Sequence, residues 1–315
     1  MAGKKPLYVV IGAGPSGAGV TERLRARGNR VRTVTRSGRA AVADGAEIVA
    51  ADITDLDAAK AACAGAHVIF GCVGLPSYRG WTEAWPAMMS GMLAAAKAAE
   101  ARLVFMDNLY MYGPVDGPLH EDLPLTAHGK KPAVRSRITR MWQAAHASGD
   151  VRAAAVRASD FFGPGVRNAI LGDYVTKRAV EGRTANLLGN PAMSHTFTYV
   201  PDLVRALVDV GDADDDVYGQ AWHVPSPPAR PVREVVELVY REAGHRPKMR
   251  SAPGWMLALL GLLDPNLREI RELLFQWTRP YEVDHSKFAG RFWANYTPLE
   301  DGVRATVRWF ESRFS

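Results

Sequence analysis

The spacing of apolar residues changes period several times along the first half of the chain. Leu7–Ile11 is an unbroken apolar run, the pattern of a strand buried on both faces. Pro15–Arg27 switches to helical spacing, with Val20 and Leu24 apolar and Arg23, Arg25 and Arg27 polar, and Gly28-Asn29 closes it. Val31–Thr35, Glu47–Ala50, His67–Val73, Leu103–Met106 and Val151–Val156 read as further strands. Asp57–Ala62, Trp85–Ala101 and a stretch from about Ala133 to Ser148 read as the helices between them. This alternation predicts an α/β fold with a doubly wound parallel sheet. Right-handed crossovers then bring every strand's C-terminal end to one edge, where ligands bind.

Beyond Gly165 helical spacing dominates, over Ile170–Glu181, Leu203–Val210, Val232–Ala243, Met256–Leu263 and Leu267–Trp277. The pattern divides the chain into a sheet domain, 1–165, and a smaller, mostly helical C-terminal substrate lobe, 166–315. The short strand-like stretches 195–200 and 221–224 are able to rejoin the sheet.

Composition narrows the partners. Of 315 residues, 47% are apolar and 23% charged, which argues against a disordered chain. The net charge of +6 arises from 39 basic residues scattered among 33 acidic ones, with no basic block, so no nucleic-acid partner is expected. The apolar stretch Trp255–Leu263 falls far short of the ~20 residues of a membrane span, and Leu7–Ile11 runs into a glycine turn rather than a cleavage site. A cytoplasmic protein without membrane contact is expected. Cys63 and Cys72 make no disulfide framework, and the histidines lack metal-ligand spacing, so no metal is expected.

The sharpest signal is Val9-Val10-Ile11-Gly12-Ala13-Gly14-Pro15-Ser16-Gly17, a strand leading through G-x-G-x-x-G into a helix. Gly12 permits the tight turn, Gly14 lets backbone approach a pyrophosphate, and Gly17 lets helix and strand pack closely. Pro15 and Ser16 open the helix, whose N-terminal N–H groups and dipole favour phosphate. The sheet domain is therefore read as Rossmann-like and dinucleotide-binding. After the second strand, where an acid would hold the ribose of NAD, stands Thr35-Arg36-Ser37-Gly38-Arg39. The Arg36 guanidinium suits a 2′-phosphate, which favours NADP. NAD stays open, because Arg36 can also stack on adenine.

Several later segments resemble one superfamily. Asp52-Ile53 follows the third strand and Cys72-Val73-Gly74 ends the fourth. Leu109-Tyr110-Met111-Tyr112-Gly113 is similar to an x-x-V-Y-G segment, and Glu121-Asp122 with Pro124 to an E-[DS]-x-P loop. Arg157-Ala158-Ser159-Asp160-Phe161-Phe162-Gly163-Pro164-Gly165 is similar to R-x-x-N-x-[YF]-G-P-G, and His195–Leu203 to [RH]-x-F-x-[YH]-V-x-D-[LV]. Together they resemble the extended short-chain dehydrogenase/reductases, the NAD-dependent epimerase/dehydratase family, over residues 7–210. The resemblance implies that Asp52 and Ile53 contact adenine, that Cys72, Val73 and Gly74 lie beside ribose, and that Ser159 lies on the cofactor side.

Two departures matter. Ile11 stands where the family's first glycine belongs, with Gly12 beside it. More consequentially, the family's Ser/Thr and Y-x-x-x-K are missing: Asn108 holds the Ser/Thr position, His128 the Tyr, Pro132 the Lys, with Lys131 one residue early. Three readings follow. The acid/base has moved, to Tyr110 with help from Asn108, His128 or Lys131. Or hydride goes to a double bond that needs only a weak acid. Or the protein binds NADP(H) as a sensor without turnover. Tyr112 reads as packing under its loop, and His195 and Asp202 as structural, while Asp160 reads as able to orient the substrate.

The substrate side is rich in aromatics: Tyr78, Trp81 and Trp85 around the loop Gly74–Glu83, and Phe161, Phe162, Trp222, Trp255, Met256, Phe275, Trp277 and Tyr281 further on. That lining suits a fairly apolar small molecule, reduced at a carbonyl or conjugated double bond by an NAD(P)H-dependent oxidoreductase. The alternative is a sugar-nucleotide epimerase or dehydratase, with Arg167, Lys177, Arg178 and Arg183 available to a second pyrophosphate. The resemblance further implies a homodimer through the helices near Trp85–Ala101 and Ala133–Ser148.

Overall fold

A computed structural model describes residues 5–126, 128–252 and 269–314. Its centre is a seven-stranded sheet built from β1 (Leu7–Ile11), β2 (Arg30–Thr35), β3 (Glu47–Ala50), β4 (Ala66–Gly71), β5 (Arg102–Asp107), β6 (Ala153–Arg157) and a last strand, Ala221–His223. Their spatial order is β3-β2-β1-β4-β5-β6 followed by Ala221–His223, with every neighbouring pair parallel. The chain runs outward through β2 and β3, then crosses back to β4. β1 and β4 therefore flank the point where strand order reverses, the place where open α/β sheets bind ligands.

β1, β5 and β6 are buried on both faces, which is why their sequences are nearly continuous in apolar residues. Helix α1 (Pro15–Ala26) and the helix Val200–Asp212 cover one face, where Val20 and Leu24 meet Leu203 and Leu207. Helices α2 (Leu56–Cys63), α3 (Trp81–Ala98) and α4 (Lys130–Ala147) cover the other, packing Trp85, Met89, Met92, Ile138 and Trp142. Gly28, with φ of 73°, follows α1 in the left-handed conformation that the Gly28-Asn29 pair announces.

Away from the sheet a further apolar cluster gathers Phe162, Leu171, Val175, Val235, Val239, Val303 and Val307. Here the structure corrects the expected elements. The stretch 195–200 does not rejoin the main sheet: Phe197–Tyr199 pairs in parallel with Asp160–Phe162 as a separate two-stranded sheet. Ile170–Glu181 is not one helix but a wide turn, Ile170–Tyr174, and a short helix, Thr176–Val180, because Gly172 breaks the helical dihedrals between them. The expected helix Met256–Leu263 and the beginning of Leu267–Trp277 lie outside the described residues, as do Trp255 and Met256.

Candidate active site

All the loops that carry motifs leave the same edge of the sheet. At β1 the turn is fixed by what a side chain would collide with. A Cβ on Gly12, whose φ is 103°, would lie 2.5 Å from the Cys72 carbonyl oxygen. One on Gly17 would lie 2.1 Å from the Gly12 carbonyl oxygen. Gly12 N–H donates to Val34 O at 2.9 Å and Cys72 N–H to Ile11 O at 2.9 Å, so the turn is locked to both neighbouring strands. Gly14 differs: nothing lies within 4 Å of a Cβ placed there. With Pro15 it is exposed at the start of α1, and no side chain caps that helix end. Open space in front of uncapped N–H groups is what a pyrophosphate needs.

Around this cradle, Arg36 is exposed at the end of β2. Asp52 is exposed after β3; its carboxylate accepts from Thr54 N at 2.9 Å and Thr54 Oγ1 at 2.7 Å. Those bonds, the backbone one foremost, hold its pKa below the usual value, and the Arg36 charge adds to the effect. Ile53 is buried, with its carbonyl against Gly91 of α3. Cys72 is buried and burial pushes its thiol up to about 12, so it is not a nucleophile at neutral pH. Val73 and Gly74 continue outward from it, Gly74 exposed with open space on its side-chain face. Ser159 N–H donates to Thr198 Oγ1 at 3.2 Å, while its own buried hydroxyl has no partner among the described residues.

Behind the turn after β5 lies a buried charged network. Arg135 of α4 donates to Asp107 at 3.0 Å, and Arg157 Nε stands 3.5 Å from the second Asp107 oxygen. Arg157 also donates to Tyr112 Oη at 2.6 Å and to Thr139 at 3.1 Å. The Tyr112 hydroxyl donates to His223 Nε2 at 3.0 Å, and His223 Nδ1–H donates to the Asp284 carbonyl at 3.0 Å. Burial, aided by Arg157, lowers the His223 pKa to about 3 and keeps the ring neutral. Burial pushes Tyr112 up to about 12 against the pull of Arg157. Arg135 also lies over the Trp85 ring, 3.6 Å from its centroid, a desolvated cation–π contact of ~2 kcal/mol. Tyr112 therefore supports the turn from below.

The turn itself presents Asn108 and Tyr110. Asn108 spends its carboxamide oxygen on Tyr110 N, at 3.1 Å, and so shapes the turn. Tyr110 Oη meets Tyr78 Oη at 3.3 Å. Burial raises the Tyr110 phenol well above its ordinary value, with Tyr78 and Asp160 adding to it. The family's tyrosine needs the opposite shift, supplied by a lysine. Lys131 does not supply it: its ammonium is buried and ion-paired with Glu269 and, at 2.6 Å, with Glu272. His128 is exposed on the rim, its ring edge-on to Phe275, and is not gathered against Tyr110. Of the four expected catalytic residues, then, the structure brings Asn108 and Tyr110 together. It assigns Lys131 to an ion-pair clamp and leaves His128 at the surface.

Asp160 and His195, one expected to orient substrate and the other to be structural, form a partly buried pair whose charge reaches Tyr110. His195 Nε2 lies 2.9 Å from Asp160 Oδ2, and its Nδ1 lies 3.1 Å from the Gln276 carbonyl oxygen. The imidazole is sandwiched between Trp277, centroid distance 4.2 Å and interplanar angle 3°, and Tyr281, 5.1 Å and 22°. Asp160 acts electrostatically on Tyr78, Tyr110 and Tyr281, so these side chains form one cluster. Tyr281 Oη is buried without a hydrogen-bond partner among the described residues. The sequence trace of the pair is that Asp160 stands at the Asn position of one matched segment and His195 opens another, and β-pairing of Asp160–Phe162 with Phe197–Tyr199 brings the two segments side by side.

Other solved structures share the whole fold. The UDP-glucose 4-epimerase of Thermus thermophilus, in complex with NAD, superposes with a TM-score of 0.80 at 17% identity, over 98% of this chain and 99% of that one. The dTDP-glucose 4,6-dehydratase of Streptomyces venezuelae, with NAD bound, gives 0.80 at 17% over 98% and 97%. The UDP-glucuronic acid 4-epimerase of Bacillus cereus, with NAD, gives 0.79 at 14% over 98% and 100%. No curated protein sequence matches significantly. The sequence profile of the NAD dependent epimerase/dehydratase family matches residues 8–224. That span contains the glycine turn, the Asn108–Tyr112 turn and the Asp160–His195 pair, and the chain belongs to the NAD-dependent epimerase/dehydratase family.

Proposed function

We propose that this chain moves hydride between a nicotinamide dinucleotide and a hydroxyl- or carbonyl-bearing carbon of a nucleotide-linked sugar, in an epimerase- or dehydratase-type reaction. The observation that carries it is the single sheet edge on which an open glycine cradle and a partly accessible acid–phenol cluster lie within the matched family span. Gly12, Gly14, Gly17 and the start of α1 would hold the pyrophosphate, Asp52 and Ile53 the adenosine end, and Ser159 the nicotinamide end. Bound there, the dinucleotide supplies the two-electron chemistry; the protein's own part is to orient the substrate, exclude water and handle the proton. Tyr78, Tyr110 and Tyr281, all too weak as acids to ionise at neutral pH, serve as hydrogen-bond donors to substrate oxygen.

A second reading, net reduction of an apolar carbonyl compound, draws support from the basic residues of the lobe. Arg167 is paired with Asp173, Lys177 and Arg183 with Glu181, and Arg178 with the Thr184 carbonyl, so each would have to leave a partner to grip a pyrophosphate. The two readings part in one assay. With catalytic dinucleotide present, a sugar-nucleotide substrate is converted with no net change in nicotinamide absorbance. A reductase consumes one reduced dinucleotide per turnover of a ketone, aldehyde or enone. Binding of UDP-glucose or dTDP-glucose supports the first reading; turnover of the carbonyl panel alone overturns it.

For the cofactor, the exposed Arg36 and the absence of an acid at that strand end support NADP over NAD. Arg36→Ala is expected to weaken NADPH binding about tenfold, ~1.4 kcal/mol, and to leave NADH unchanged, by calorimetric titration. Tighter binding of NADH than NADPH by the unmodified protein rules this preference out.

A further inference from the structure

We propose that Asp160 and His195 together are the acid/base of this site, Asp160 meeting the substrate oxygen and His195 holding the proton behind it. The proposal rests on the hydride-transfer reading above and replaces the family's tyrosine–lysine couple, which this chain lacks.

The case begins with hydrogen-bond valence. The Gln276 main-chain oxygen, 3.1 Å from His195 Nδ1, can only accept. Asp160 Oδ2, 2.9 Å from Nε2, can only accept when ionised. A neutral imidazole carries one N–H, so neutral His195 beside ionised Asp160 would set lone pair against lone pair at one of the two contacts. Both are satisfied only if the pair holds one more proton, as imidazolium beside carboxylate or as imidazole beside carboxylic acid. In either form it is a neutral unit with one transferable proton.

Access distinguishes the roles. The His195 side chain is fully buried, whereas that of Asp160 is 19% exposed. Asp160 therefore is the catalytic residue and His195 the positioning residue. The cluster's other polar groups suit an oxygen placed there. Tyr110 and Tyr78 hydroxyls meet each other within reach of the Asp160 charge, and the buried Tyr281 hydroxyl has no partner among the described residues, as expected of a donor that awaits a ligand.

The reaction balances without further reagents. A dinucleotide held in the glycine cradle would supply the hydride; the substrate oxygen, keeping the former C=O π pair, then takes the proton of the Asp160–His195 pair. The pair is left with one negative charge until water returns the proton. In the oxidation direction the charged pair takes the substrate hydroxyl proton, and the dinucleotide would accept the hydride.

The test has two arms on the full chain. In histidine-labelled protein without ligand, NMR at neutral pH is expected to show a proton bridging His195 Nε2 and Asp160, together with a protonated Nδ1, and the bridge is lost in Asp160→Asn. An unprotonated Nε2 with no bridging proton overturns the proposal whether or not any variant folds. In the second arm, Asp160→Asn is expected to keep dinucleotide affinity and lose 100- to 10,000-fold in kcat, the usual range for general acid–base catalysis. His195→Gln is expected to flatten the pH profile of kcat, which a merely structural role would not do. Full kcat in Asp160→Asn overturns the proposal. A bridging proton in a protein that turns over no substrate would instead sink the hydride-transfer reading.

Discussion

The dinucleotide cradle and the reactive cluster share one sheet edge but differ in material: the first is backbone, the second is side chains. At the cradle, specificity lies in missing atoms. Gly12 and Gly17 have no room for a Cβ, and Gly14 has room but must leave it empty for the ligand. At the cluster, the proposed chemistry rests on Tyr78, Tyr110, Asp160, His195 and Tyr281, five side chains from five segments, supported by buried ion pairs. The cradle tolerates almost no substitution and needs few partners. The cluster is able to change chemistry by exchanging side chains, and here it has lost the family's Tyr and Lys without disturbing the fold.

The largest expected effect lies under the cluster. Asp107→Ala leaves Arg135 and Arg157 buried without their carboxylate, and is expected to cost about 3–5 kcal/mol of stability in urea denaturation. An undiminished midpoint would show that the cluster does not depend on its charged support. Gly12→Val attacks the backbone side, combining a φ of 103° with a Cβ 2.5 Å from the Cys72 carbonyl oxygen. It is expected to cost about 1–3 kcal/mol and to abolish dinucleotide binding, measured by thermal melts and calorimetry.

His223 gives a pH signature. Its folded pKa of about 3 lies below the unfolded value of 6.5, so the unfolded chain binds the extra proton first. The stability it contributes is fully present above pH ~6.5 and is lost as pH falls toward 3, at about 1.4 kcal/mol per pH unit. His223→Asn is expected to remove that component of the slope between pH 4 and 6.5, followed by chemical denaturation at each pH. The mildest change sharpens the contrast most. Gly14→Ala, at a φ of −68° with nothing within 4 Å, is expected to leave the melting temperature unchanged and to weaken dinucleotide binding about tenfold, ~1.4 kcal/mol. A lowered melting temperature would mean that Gly14 is structural like its neighbours.

The same contrast governs what the sequence disclosed. The sheet was legible because a strand buried on both faces must be apolar throughout, as at Leu7–Ile11, and the glycine turn because only glycine meets its steric demands. Both are local constraints. The cluster was not legible, because nothing local marks a pairing between Asp160 and His195, and His195 looked like an ordinary strand residue. Lys131 looked catalytic by its place near the missing motif, but carboxylates at Glu269 and Glu272, far along the chain, claim it. The break within Ile170–Glu181 was hidden for a different reason: Gly172 is compatible with helical spacing and only its dihedrals reveal the kink.

The Lys131 clamp also bears on the order in which the molecule assembles. It joins residues 141 positions apart, while the glycine turn is closed by Val34 and Cys72 of the neighbouring strands. Every residue that closes the glycine turn precedes, along the chain, the segment that carries Glu272, Trp277 and Tyr281. A chain under synthesis can therefore close its glycine cradle before the residues that complete the tyrosine–histidine wall have been made. The reactive end becomes a property of the finished chain alone.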